Sequence, residues 1–170
     1  DTPCFEQRGL DPGLQGGLLT LCTCKNQMRA SQPAAAWEKE IWIAGFSSRC
    51  IHKVRHWLFY LMKVDKAFAS QGELWSGIPG KVRQAKTAWK YFLGDMFEPK
   101  RRGLTGDARY LPSRYYTPPR HAHRQRPGDT GWHNDIYYRH ADRHNWQPPL
   151  LVGAPRLTFL WEEPSIFLNH

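Results

Sequence analysis

Trp57-Leu58-Phe59-Tyr60-Leu61-Met62-Lys63-Val64 is the stretch on which the fold class turns. Its apolar side chains fill both alternating sets of positions, so a strand built from it is apolar on both faces and belongs at the centre of a sheet. Upstream, Ile41-Trp42-Ile43-Ala44-Gly45-Phe46 reads as a second strand that stops at Ser47-Ser48, and residues 18–24 read as another. Gln32 to Trp37 is a linker or a short helix. Downstream, Gln71 to Trp75 and Val82 to Trp89 have helical character on either side of Gly77-Ile78-Pro79-Gly80. Gly94-Asp95-Met96-Phe97-Glu98-Pro99 is a turn with a short extended piece. Short strands are expected at Ile136-Tyr137-Tyr138 and Leu150-Leu151-Val152, and a late strand at Leu157-Thr158-Phe159-Leu160-Trp161. The tail Pro164-Ser165-Ile166-Phe167-Leu168 is expected to pack back on the core. The fold class is therefore α+β, a small curved, mainly antiparallel sheet or partial β-barrel with a few short helices.

The 170 residues fit one domain, 1–170, large enough to bury a core without disulfide staples. Residues 1–17 form an irregular, Gly/Pro-rich lead-in, and residues 100–149 a loop-rich basic segment. A hydrophobic content of 41% with 14% aromatics argues against disorder. No apolar run approaches the roughly 18 residues of a membrane span, and the N-terminus carries no basic-then-apolar leader. Four cysteines suit a reducing compartment, so a cytoplasmic location is expected. The net charge is +9 and unevenly spread: residues 99–144 hold ten Lys/Arg against four Asp/Glu. Basic residues interleaved with rings favour a polyanionic partner, because phosphates attract cations and bases stack on rings.

Candidate chemistry gathers at three places. In Leu18-Leu19-Thr20-Leu21-Cys22-Thr23-Cys24-Lys25-Asn26-Gln27-Met28-Arg29, a strand end carries two thiols and two cations. Arg29 suits a phosphate by paired contacts and Lys25 as a point charge; the plainer reading is a solvated turn. Cys22 and Cys24 would supply a thiolate nucleophile or metal ligands, against the commoner role of buried packing. Neither His121 with His123 nor His52 with His56 completes a tight zinc spacing, and no metal or other cofactor is expected. Asp95, behind Gly94, serves as a general base, a hydrogen-bond acceptor or a turn former. In the basic segment, His121, His123 and Asp135 offer acid–base groups. Tyr115, Tyr116, Trp132, Tyr137 and Tyr138 offer rings for stacking, although core packing accounts for most rings of this kind. Walker, Gly-x-Gly-x-x-Gly, Gly-x-Ser-x-Gly and zinc-deaminase motifs are absent, which argues against those enzyme classes.

Leu19-Thr20-Leu21-Cys22-Thr23-Cys24-Lys25 with Met28-Arg29 resembles the TLAxCKPxIR signature of the nucleotide modification associated domain proteins of the second type, and Pro3-Cys4-Phe5 the short element before it. Trp42-Ile43-Ala44-Gly45-Phe46-Ser47 is similar to that family's WVxGFGS strand, and Leu58 to Val64 to its LVYAMRV strand. Gly94-Asp95-Met96-Phe97 is similar to its GDxIY turn, and Leu150-Leu151-Val152-Gly153 and Phe159-Leu160-Trp161 to its closing strands. Asn26 stands where the family has Pro, and Lys39-Glu40 where it has Gly-Asp. The resemblance implies a prokaryotic or phage protein associated with base modification in DNA, and the strand order is similar to PUA, ASCH and EVE barrels.

Three readings of function stay open. One is binding of DNA or a modified nucleotide, with Lys25 and Arg29 on phosphate and Tyr115, Tyr116, Trp132 and Asp135 around the base. The second is an enzyme acting on a nucleobase or nucleotide with Asp95 or a histidine as general base. The third is a protein–protein adaptor. No membrane partner is expected.

Overall fold

The computed structural model describes residues 13–22, 25–47, 55–88, 96–103, 116–117 and 145–169. Seven strands and four helices lie in them: β1 (Thr20–Leu21), α1 (Asn26–Arg29), α2 (Ala34–Trp37), β2 (Trp42–Phe46), β3 (Arg55–Phe68), α3 (Gln71–Gly77), α4 (Gly80–Ala88), β4 (Glu98–Pro99), β5 (Tyr116–Thr117), β6 (Leu150–Leu160) and β7 (Phe167–Asn169). The main sheet runs β1-β6-β3-β2, with β7 also paired to β3; β4 and β5 form a separate ladder. All pairings are antiparallel. The protein is thus α+β as expected, but the sheet has two ends among the described residues and does not close into a barrel. No described helix is long and apolar enough to cross a membrane.

β3 lies between β2 and β6, the central place its composition implies. Its even-numbered side chains Leu58, Met62 and Val64 are buried. Its odd-numbered set is not covered to the same degree: Trp57, Phe59 and Leu61 are half-buried.

The two late strands expected at 150–152 and 157–161 are one strand, β6, with an excursion in it. Met62 pairs with Thr158 and Val64 with Gly153, so residues 154–157 stand opposite a single residue of β3. Pro155 cannot donate to a ladder, and an excursion is where a strand tolerates it. The Thr158 hydroxyl closes the excursion by donating to the Ala154 carbonyl at 2.8 Å. The tail does pack back: β7 continues along β3, with Trp57 opposite Phe167 and His56 opposite Leu168.

Two apolar clusters flank β1 and the first half of β6. Leu19, Leu21 and Leu151 pack with Trp37, Ile43, Met62 and Val64 on one side. Leu18, Cys22, Leu150 and Val152 pack with Leu74, Ile78 and Met96 on the other. The period of two sends alternate residues to opposite clusters. The helices close the second cluster. Ser70 caps α3 by accepting from the Glu73 amide at 3.3 Å, and the Glu73 carboxylate accepts from the Ala69 amide at 3.0 Å, a variant of the reciprocal capping box. Lys86 of α4 is buried and donates to the Gly13 carbonyl and the Thr20 hydroxyl, each at 2.9 Å. That clamp orders the end of the lead-in, where Gln15–Gly17 forms a 3-10 turn and Gly13 bridges Thr20. At Gly45 a Cβ would lie 1.8 Å from the Tyr60 ring, so the ring rests on bare backbone and any side chain there displaces it.

Of the other expected elements, residues 32–37 contain the short helix α2, and β4 supplies the extended piece at the end of 94–99. The strand expected at 136–138 lies outside the described residues.

Candidate nucleic-acid interface

The strand-end turn separates the two cations that the sequence placed together. Lys25 turns the chain with φ 57° and is exposed, whereas Arg29 is only 1% exposed. The Arg29 guanidinium donates from Nη1 to the carbonyls of Pro148 (3.0 Å) and Pro149 (2.7 Å) and from Nη2 to Asn26 Oδ1 (2.6 Å). Buried carbonyls outside a ladder need donors, and a planar guanidinium serves several at once. Two indoles hold the same turn: Trp37 Nε1 donates to the Arg29 carbonyl at 3.1 Å, and Trp146 Nε1 to the Ala30 carbonyl at 3.1 Å. Arg29 is therefore a clamp between α1 and the chain entering β6. This corrects its reading as a surface phosphate ligand beside Lys25: folding directs the guanidinium inward to carbonyls that have no place in a ladder.

Cys22 is buried as a free thiol in the second apolar cluster, a packing position. His56 Nδ1 lies 2.7 Å from the Ser47 carbonyl, a contact that ties the start of β3 to the end of β2. The Tyr116 backbone pairs with Pro99. Cys24, His52, Asp95, Tyr115, His121, His123, Trp132, Asp135, Tyr137 and Tyr138 lie outside the described residues.

The structure does assemble a ring-rich face that the sequence reading missed. On the side of β3 away from Met62 and Val64 stand Leu61 and Lys63; the register shift between Gly45 and Phe46 then brings Leu58 opposite Phe46 on this same side and turns Trp57 and Arg55 to the other. Neighbouring strands add rings to it in register: Trp42 opposite Lys63, Phe159 opposite Leu61, and Phe46 opposite Leu58. Trp42 and Phe159 are each 44% exposed, with ring centroids 6.4 Å apart and planes 12° from parallel. Phe159 and Trp161 follow at 6.4 Å and 27°. Past the bulge and on the opposite side of the sheet, Trp57 meets Phe167 edge-on, at 5.0 Å and 62°. The Arg55 guanidinium sits 4.2 Å from the Phe167 centroid and 6.0 Å from that of Trp57, a cation over the rings. Lys63, on the ring face, pairs with Glu40 at 2.7 Å. The ring face thus has parallel, half-open rings beside Lys63, and the cation-capped pair Trp57 and Phe167 belongs to the other side of the sheet.

A signal for this face was present in the sequence. On its side of β3 Leu61 is followed by Lys63, whereas Tyr60, Met62 and Val64 on the other side carry no charge. Charged ends mark the side of a strand that meets water.

No protein-family model, curated protein or solved structure matches the chain. What the comparisons leave standing is the architecture itself, an α+β protein with an open antiparallel sheet.

Proposed function

We propose that this protein binds nucleic acid or a modified nucleotide, and that the ring-bearing face of the sheet is where bases stack. The observation that carries the reading is the parallel, half-exposed pair Trp42 and Phe159 beside Lys63. Large rings left in water on a sheet are a patch that favours a partner. Flat π-faces with nearby cations suit bases joined by phosphates. The net charge of +9 supports the same partner by long-range attraction. An association with base modification or phage defence draws on the resemblance in the strand sequences alone. Titration of the tryptophan fluorescence with oligonucleotides and nucleotides tests the reading. Quenching that saturates, weakens with added salt and is lost in Trp42→Ala is the expected result. Unchanged fluorescence with every nucleic acid and nucleotide at low salt overturns it.

A second reading has its own support. Leu157, Leu160, Ile166 and Leu168 are exposed aliphatic residues on β6, β7 and the turn between them. Aliphatic surface suits a protein partner better than a base, and capture of a protein in a salt-insensitive manner, with no nucleic-acid affinity, would favour an adaptor.

A further inference from the structure

The two edges of the main sheet are finished differently. β1 is only Thr20–Leu21, and Gly13 of the lead-in bridges Thr20 on the side away from β6. That edge is short and covered. β2, at the other edge, runs from Trp42 to Phe46 and pairs with β3. The Ile41 carbonyl accepts from the Val64 amide at 2.8 Å, and the Ser47 amide donates to the Trp57 carbonyl at 2.8 Å. Backbone groups alternate sides along a strand, so residues 41, 43, 45 and 47 turn theirs to β3. The amides and carbonyls of Trp42, Ala44 and Phe46 point away from the sheet, and among the described residues no hydrogen bond meets them. Open edges are ordinarily blunted by a charge, a proline, a bulge or shortness. Ile41-Trp42-Ile43-Ala44-Gly45-Phe46-Ser47 has neither charge nor proline, and the extra residue of the bulge lies in β3. The side chains of Trp42, Ala44 and Phe46 are all exposed.

We infer that β2 pairs antiparallel with β2 of a second copy of this chain, about a two-fold axis at Ala44, so that two sheets join edge to edge into one. An open row of donors and acceptors is met by another extended backbone. The side chains select a second β2 for that role. A two-fold axis at Ala44 sets Ala44 opposite its own copy and Trp42 opposite Phe46 of the second chain, once in each half. Trp42 and Phe46 are 44% and 37% exposed in the single chain, and a cross-strand pair of rings is a favourable partnership on a sheet. The residue on the axis has only a methyl group, so the two backbones approach without a clash. The outward groups of Trp42, Ala44 and Phe46 then meet those of Phe46, Ala44 and Trp42. The contact uses the same patch on both chains and closes at two copies. Pairing at the edge lengthens the ring face rather than covering it, and it stands apart from the nucleic-acid reading.

Sedimentation velocity on the nuclease-treated full chain tests this, over about 1–100 μM and at low and high salt. The average mass is expected to climb with concentration toward twice that of the chain. It should do so at both salts, because backbone hydrogen bonds and rings carry the contact rather than charge. Ala44→Lys sets like charges against each other on the axis and should weaken association at least about tenfold. Its melt, taken dilute enough for the parent to be a monomer, should stay close to the parent's, because the replaced side chain faces water. The double variant Trp42→Lys with Phe46→Glu places opposite charges across both halves and should associate in low salt. Trp42→Lys with Phe46→Lys places like charges there and should not. A parent chain that stays monomeric at about 100 μM overturns the inference. So does an Ala44→Lys variant that associates like the parent while folded, or a Lys/Glu double variant that associates no better than the Lys/Lys one.

Discussion

The two ends of β6 have nearly the same chemistry and opposite surroundings. Leu150-Leu151-Val152-Gly153 is buried throughout, between apolar clusters on both sides. Leu157-Thr158-Phe159-Leu160 is mostly exposed, although it pairs with the same central strand. The excursion at 154–157 separates them. Before it, the helices and the β1 hydrophobes close both faces; after it, Leu61 and Lys63 of β3 share a face with the half-open rings of Trp42 on β2 and Phe159 on β6. Equal hydrophobicity therefore serves packing at one end and, in our reading, recognition at the other.

That contrast can be broken by substitution. The largest effect is expected at the closed end. Leu151 is 0% exposed, and Leu151→Ala should cost about 3 kcal/mol of stability. A urea titration would show it as a lower midpoint at unchanged slope, and a melt as a fall of roughly 6–12 °C. Next comes the Arg29 clamp. Arg29→Ala removes a charged donor from two buried carbonyls and should cost about 2–3 kcal/mol. Arg29→Lys should recover only part of that, because an ammonium lacks the planar fork. If Arg29→Ala instead melted like the parent, its role as a clamp would be wrong.

At the open end the order of effects reverses. Phe159→Ala should cost less than about 1 kcal/mol of stability, because its ring is half in water in the folded protein. It should nonetheless weaken nucleic-acid binding by about 1–3 kcal/mol. Were Phe159→Ala as destabilising as Leu151→Ala, the two ends would not differ in the way described. The smallest effect is expected at Glu40. Its ion pair with Lys63 is exposed on the Glu side, so Glu40→Gln should change stability by well under 1 kcal/mol. Freed from its carboxylate, Lys63 should attract phosphate slightly more, seen as a modest gain in affinity at low salt.

Much of the scaffold was legible from residues alone. The apolar run at 57–64 marked β3 and its central place, because strand composition tracks burial on a sheet. Ser70 with Glu73 three residues on is a helix-start signal that the structure uses, although the helix there was read from its general character. The site was far less legible. Lys25 and Arg29 sit four apart in a motif-like stretch, yet one faces water and the other binds the Pro148 and Pro149 carbonyls, more than a hundred residues away in the chain. Nothing local specifies that a guanidinium will find those acceptors.

By itself, the sequence determined that Trp42, Trp57 and Phe159 lie on strands, since the strand runs that contain them are written in local composition, and that the tail holding Phe167 packs back. It also determined the basic balance of the chain. Only the tertiary structure decided which of these rings share a face, because register between distant strands, with its shift between Gly45 and Phe46, sets which residues stand opposite one another. The same holds for exposure: a ring is buried or open according to whether another element covers it, and coverage is a property of the assembled sheet and helices.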